Sequence, residues 1–134
     1  MTAIEFLDEP PDYRPGACNI GPAEVARRRR AGIAGLTSAV IVGAVLVATG
    51  APPITRLAIA APLYFGLMGL VQAQLRFCVA FGMGGLRNFG ALGTQSRVAD
   101  DAARRADRRK AVMVAGGVAA LSGLIAVGLA LLPF

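Results

Sequence analysis

The sequence predicts an all-α membrane protein with three transmembrane helices. Hydrophobic residues make up 55% of the 134 residues and charged residues only 16%, against about 25% charged in ordinary globular chains. The apolar residues also form near-continuous blocks of about 20 residues, the length needed for a helix to cross a bilayer. The three predicted spans cover about residues 31–49, 57–81 and 111–132, and the third helix is expected to extend into the cytoplasm from about residue 96.

The first 21 residues form a polar, proline-rich segment that precedes the transmembrane domain of residues 22–134. Pro10, Pro11 and Pro15 oppose a regular helix here. Two interpretations stay open for this segment: a disordered terminus, or a cytoplasmic segment that packs on the helix ends or on a partner subunit. Gly21 and Pro22 then mark a helix start, because proline suits the first helical position.

A run of four arginines lies directly before the first span. Arg27, Arg28, Arg29 and Arg30 are expected to contact lipid headgroups, where each positive charge contributes about 1 kcal/mol of attraction to anionic lipid. A removable signal peptide is an alternative, since Ala48-Thr49-Gly50 resembles a cleavage site and the arginine run resembles a twin-arginine signal. The length of the region before the apolar block, about thirty residues, favours a retained helix instead.

Small residues recur at helical spacing in two of the spans. Such stripes let two helix backbones approach closely in lipid. The predicted packing faces consist of Gly35, Ala39 and Gly43 in the first span and of Gly116, Ala120 and Gly123 in the third.

The distribution of basic residues predicts the orientation. Arg56 is the one basic residue in the loop between the first two spans, and the other thirteen fall on or near the opposite side. Because cytoplasmic loops carry the excess of Lys and Arg, we expect a bacterial-type cytoplasmic membrane, with the N-terminus inside and the C-terminus outside.

The second span becomes polar toward its inner end. Pro62 predicts a bend near the outer third. A Gly-rich loop over residues 82–95 follows the span and joins it to the third helix. We expect a cluster of polar residues to meet at the cytoplasmic mouth as a site for an anion or a partner. Its members are Gln72, Gln74, Arg76, Arg87 and Asn88, together with Cys18, Asn19 and Glu24 of the terminus and with Cys78 nearby. The competing interpretation of Arg76 is an interfacial anchor that reaches the headgroups.

Several classes of chemistry lack their residues in this chain. With no histidine, a His-ligated haem, a His-containing zinc site and a His general base are excluded. No phosphate-binding GxxxxGK[ST] pattern is present, and no Asp, Glu or Lys lies inside a span to carry a coupled ion. We therefore expect no cofactor, no metal and no catalytic residue.

The net charge of +6 is interpreted as a topology signal and not as nucleic-acid binding, because no binding motif accompanies it.

These observations predict a small integral membrane protein that acts as a non-enzymatic accessory or assembly subunit. Its expected partners are membrane lipid and other membrane protein subunits, or further copies of itself. The alternative is an oligomeric protein that handles lipid or small anions through the arginines at the mouth, Arg76 and Arg87.

Overall fold

The computed structural model describes residues 12–133, which are mostly helical. Residues 1–11 of the predicted N-terminal segment, and Phe134, lie outside the described residues. In chain order, the elements are α1 (Pro22–Ala48), a 3-10 helix (Pro53–Ile59), α2 (Ala60–Leu75), α3 (Val79–Gly84), β1 (Leu86–Arg87), β2 (Ser96–Arg97) and α4 (Asp101–Leu131). The two short strands pair antiparallel, with Leu86 opposite Arg97.

Within residues 12–133, three helical stretches are long and apolar enough to cross a membrane. They are Pro22–Ala48 with 27 residues, Pro53–Leu75 with 23 residues and Asp101–Leu131 with 31 residues. Most of α1 and α4 is uncovered by the rest of the described chain, and large apolar side chains such as Val40 and Leu124 are 71% exposed. The predicted class, an all-α protein with three helices of membrane-spanning length, is confirmed.

The second long helix ends earlier than the predicted boundary at residue 81. It stops at Leu75 because Arg76 adopts a left-handed conformation with φ of 54°. The amide of Phe77 then donates to the carbonyl of Gln72 at 3.0 Å, and that of Arg76 donates to Ala73 at 3.4 Å. This pair of bonds is a Schellman motif, which satisfies the last carbonyls of a helix and ends it.

Pro62, where the sequence predicts a bend, lies next to a change of helix type. Pro62 is the third residue of α2, which directly follows the 3-10 helix Pro53–Ile59. The helix type therefore changes just before the proline, and α2 proper continues beyond it.

The third long helix begins at Asp101 instead of near residue 96. Ser96 and Arg97 are extended and pair with β1, and the amide of Val98 donates to the carbonyl of Gly85 at 2.8 Å. The Asp100 carboxylate then accepts from the amide of Ala103 at 2.9 Å. An aspartate in this N-cap position satisfies one of the free donors of the first turn, so the helix starts after Asp100.

The described chain divides into two compact units. We call residues 12–27 and 72–114 the polar cap, and residues 28–71 and 115–133 the helical unit. The core of the helical unit comprises Ala39, Ile59, Leu63 and Ala126, with Leu36, Leu67 and Leu129 packed against it.

Two pairs of glycines bring α1 and α2 close together in the helical unit. A Cβ atom on Gly35 would lie 2.6 Å from Cα of Gly66, and one on Gly69 would lie 2.6 Å from the amide nitrogen of Gly32. No real Cβ tolerates such distances, so these helices pack backbone against backbone. Gly35 belongs to the predicted small-residue face, whereas Gly43 has ordinary space around it, since a Cβ atom there would lie 3.7 Å from Cγ2 of Ile59.

Arg56 supports the end of α4 in the same unit. Its side chain is buried, and one guanidinium nitrogen donates to the carbonyls of Leu129 at 3.3 Å and Leu132 at 3.1 Å. A cation that binds the last carbonyls of a helix also complements the negative end of its dipole. The predicted place of Arg56 in a loop before the second span is wrong: Arg56 lies in the 3-10 helix Pro53–Ile59, which is part of the second stretch of membrane-spanning length.

Candidate functional site

The polar cap contains most of the polar residues that the sequence singles out, and Asn19 lies at its centre. Asn19 is fully buried, and its side-chain amide forms two bonds with the backbone of Cys78. The Asn19 Oδ1 atom accepts from the Cys78 amide at 2.7 Å, and Nδ2 donates to the Cys78 carbonyl at 3.1 Å. One side chain thus satisfies both backbone groups of a residue in the break between α2 and α3.

The backbone around Asn19 is bonded to two further segments. The amide of Asn19 donates to the carbonyl of Arg76 at 3.1 Å, and its carbonyl accepts from the amide of Asn88 at 3.0 Å. The amide of Gly21 in turn donates to the carbonyl of Asn88 at 2.8 Å. At Gly21, a Cβ atom would lie 2.8 Å from Cα of Phe89, so only glycine allows this approach. The loop of residues 12–21 is therefore packed against the helix break and the Gly-rich loop.

Gln72 and Asn88 use their side-chain amides inside the cap. Oε1 of Gln72 accepts from the amide of Val79 at 2.8 Å, which satisfies a free donor at the start of α3. Nδ2 of Asn88 donates to the carbonyl of Ala91 at 2.9 Å, while its Oδ1 accepts from the amide of Gly90 at 2.9 Å and from the hydroxyl of Thr94 at 3.1 Å. Both residues, predicted as parts of an anion or partner site, hold loop backbone in the structure.

The two arginines of the predicted mouth differ in their surroundings. Arg76 is exposed and occupies the left-handed position that ends α2. Arg87 is half-buried, and its guanidinium carbon lies 6.0 Å from the centroid of the Tyr13 ring. This is within the range of a cation–π interaction, so Arg87 helps to hold Tyr13 in the cap.

Tyr13 and Asp107 connect the N-terminal loop to α4. The Tyr13 hydroxyl donates to one carboxylate oxygen of Asp107 at 2.7 Å, and the amide of Gly16 donates to the other oxygen at 2.7 Å. Asp107 is fully buried, and the Tyr13 ring also meets Phe89 edge-on, with 6.4 Å between centroids. A buried carboxylate requires such donors to offset its loss of hydration.

The two cysteines lie in the same cap but are not joined in a disulfide. Cys78 is buried, and Cys18 is half-buried with its sulfur 3.7 Å from the carbonyl of Ile20. Burial raises the pKa of the Cys18 thiol, while its bond to Ile20 and the positive charge of Arg76 oppose the rise. A raised pKa leaves less thiolate at neutral pH, which lowers the reactivity of the thiol.

The arginines predicted to contact lipid and the small residues predicted as a packing face of α4 differ in their exposure. Arg27, Arg29 and Arg30 are exposed and Arg28 is half-buried, and Arg27 approaches the buried Glu24 at 3.8 Å. On α4, Ala120 is exposed, and a Cβ atom on Gly116 or Gly123 would meet no heavy atom of the described chain within 4 Å.

The sequence places Asn19 at the mouth without indicating its partner, and Asp107 does not belong to the predicted site. Asn19 precedes the start of α1, where an asparagine usually serves as a helix cap, and its partner Cys78 is 59 positions away. Asp107 stands within a basic stretch and resembles a solvent-exposed acid. Its one signal is its spacing, four residues from both Ala103 and Ala111, which are buried on the same face of α4.

The cap as a whole is a hydrogen-bonded scaffold. Its buried side-chain amides and the carboxylate of Asp107 bind backbone or tyrosine. Within residues 12–133, no group of three or more Cys, Asp or Glu side chains is placed to hold a metal ion. Searches of protein families, curated proteins and solved structures gave no match to this chain.

Proposed function

We propose that the chain is a non-enzymatic accessory subunit of a larger membrane assembly, which it contacts through the Gly116, Ala120 and Gly123 face of α4. The proposal places it in a bacterial-type cytoplasmic membrane with the N-terminus inside, on the strength of the skewed distribution of its basic residues. The observation that carries it is the bare small-residue face of α4.

The chain itself shows how it packs helices. In the helical unit, Gly35 against Gly66 and Gly32 against Gly69 allow two backbones to meet without intervening side chains. The Gly116 face has a similar composition and spacing. In a bilayer, bulky apolar side chains are covered by lipid without difficulty, whereas a flat glycine face gains contacts when another helix lies against it. A transmembrane helix of a partner subunit is therefore the expected occupant.

The polar cap supports a non-enzymatic role. Catalysis needs side chains that are held in place yet directed at a substrate. The side chains of Asn19, Gln72, Asn88 and Asp107 are instead bonded to the chain's own backbone and to Tyr13. They stabilise the folded loops.

The test compares two pairs of glycine-to-leucine changes on α4. The tagged full chain is isolated from its native membrane in a mild detergent, and the mass of the complex is measured. We expect a stoichiometric larger assembly for the unchanged chain and its loss in Gly116→Leu/Gly123→Leu. The control is Gly117→Leu/Gly128→Leu, because these glycines are equally open but lie about 100–120° around the helix.

Two results would contradict the proposal. Equal loss of the assembly in both double variants would show that the Gly116 face is not the specific contact. A homogeneous homo-oligomer with co-purified lipid, in place of a larger assembly, would favour the alternative of a lipid- or anion-handling protein.

A further inference from the structure

A basic cavity lies in the polar cap between α4 and the N-terminal loop. Its volume is about 460 Å³. Gly16 forms the loop side, and a Cβ atom on Gly16 would approach Ala106 to 3.4 Å. The lining residues are Gly16, Ala102, Arg105, Ala106, Arg109, Lys110 and Met113. Six of these follow one face of α4 at the spacing of three, four and seven residues that a helix requires.

Three cations line this cavity, and the neighbouring acids are engaged elsewhere. Asp101 forms its ion pair with Arg104 instead of Arg105. Asp107 faces Tyr13 and the amide of Gly16. Within the described residues, Arg105, Arg109 and Lys110 form no ion pair with a carboxylate. The cavity therefore presents a concentrated positive charge to any ligand, and it complements an anion.

The remaining lining is apolar, and it continues in one direction along the helix. On α4 this apolar lining consists of Ala102, Ala106 and Met113, of which Met113 is 65% exposed and is the last along the helix. Met113 lies where the charged part of α4 gives way to the apolar stretch that is able to span a membrane. A ligand that fits both parts carries an anionic group beside a hydrocarbon chain.

We propose that this cavity binds the headgroup of an anionic phospholipid. Arg105 and Arg109, one helical turn apart, contact the phosphate with Lys110 beside them, and Met113 lies against the start of the acyl chain. Arginine suits this role because its planar donors match phosphate oxygens. The site is distinct from the arginine run of residues 27–30 and from Arg76 and Arg87, and it does not require a partner subunit.

The experiment measures lipid preference at the cavity itself. The chain contains no tryptophan, so Met113→Trp provides a unique fluorescent reporter there. The full chain with this change is reconstituted in mixtures containing phosphatidylglycerol or phosphatidylcholine with brominated acyl chains, which quench tryptophan on contact. We expect phosphatidylglycerol to be preferred about tenfold, and the preference to fall to about twofold in Arg105→Gln/Arg109→Gln.

The matched control removes the same charge elsewhere in the cap. Arg97 and Arg108 are exposed and do not line the cavity. The variant Arg97→Gln/Arg108→Gln should keep the preference within about twofold of the parent, and Arg105→Lys/Arg109→Lys should keep most of it. Should the double glutamine variant lose helicity, Arg105→Gln alone serves instead, with an expected loss of about threefold.

Three results would overturn the proposal. Equal quenching by the two lipids in the parent would show that the cavity has no headgroup preference. An equal loss in the Arg97/Arg108 control would indicate a diffuse positive surface instead of a site. Abolition of the preference by millimolar glycerol phosphate would assign the cavity to a soluble anion.

Discussion

Replacing Asn19 by alanine is the sharpest test of the polar cap. The change removes the acceptor of the Cys78 amide, at 2.7 Å, and one of two donors to the Cys78 carbonyl, which keeps its bond to the amide of Gly82 at 2.9 Å. Cys78 is 1% exposed, so water does not replace these bonds in the folded cap. A buried backbone group left without a partner costs about 1–3 kcal/mol. Because only the Cys78 amide loses its acceptor, the expected loss in the free energy of cap unfolding is about 1–3 kcal/mol.

Cys78 itself reports the opening of the cap. In a Cys18→Ser background it is the sole thiol, because the chain has two cysteines. Maleimide reaches Cys78 only when the cap opens, so its labelling rate in detergent follows the open population. A loss of about 2 kcal/mol raises that population about 30-fold. We expect an acceleration of about this size in Asn19→Ala.

The control for this experiment is Gln74→Ala, which removes an amide that is exposed on α2 and should leave the labelling rate unchanged. Asn19→Asp is informative as well, since it keeps the acceptor for the Cys78 amide but loses the donor to its carbonyl. It also buries a carboxylate against the Cys78 carbonyl, so its labelling rate should be at least that of Asn19→Ala. If Asn19→Ala labels no faster than Gln74→Ala, the description of Asn19 as the central support of the cap is wrong.

Three further predictions follow from single contacts. Gly66→Ala places a Cβ atom 2.5 Å from the Leu36 amide nitrogen. It should lower the free energy of unfolding of the detergent-solubilised chain, measured by thermal unfolding, by about 1–3 kcal/mol. Gly43→Ala is the control and should be neutral, because its nearest contact lies at 3.7 Å. Arg56→Gln removes the buried cation at the carbonyls of Leu129 and Leu132. It should lower the free energy of unfolding by about 1.5–3 kcal/mol in the same assay. An unchanged melting temperature would contradict the capping role of Arg56. Burial raises the pKa of the Cys18 thiol in the folded state. The unfolded chain therefore loses this proton first, and the free energy of unfolding should fall as pH rises above about 8.5. Cys18→Ser should remove that part of the pH dependence.

The sequence was sufficient for the membrane architecture because that property depends on composition and length. Blocks of about 20 apolar residues predict spanning helices without any knowledge of their contacts. The same reasoning identified Gly35 as part of a packing face, but not its partner Gly66, since spacing along one helix does not reveal which helix lies against it.

The errors at the helix ends have local causes that composition does not show. Arg76 is not a residue that usually adopts a left-handed conformation, so nothing in the sequence marked it as the end of α2. The segment around Ser96 resembles a helix start, but its pairing with Leu86 and Arg87 keeps it extended. In both cases the backbone conformation of a short segment is determined by bonds to residues outside that segment, and the local pattern cannot predict it.

The N-terminal loop, the helix break and the Gly-rich loop are parts of one hydrogen-bonded structure. The segment around Cys18, Asn19 and Gly21 binds the segment of Arg76 to Cys78 and the segment of Arg87 to Phe89 through backbone and amide groups. The amides that the sequence assigns to a ligand site are therefore occupied in folding the cap. The guanidinium groups of Arg105 and Arg109, in contrast, line an open cavity. Binding of an anionic lipid by the cap should accordingly depend on the charges of α4 and not on the predicted mouth residues Arg76 and Arg87. The lipid experiment therefore tests Arg105 and Arg109.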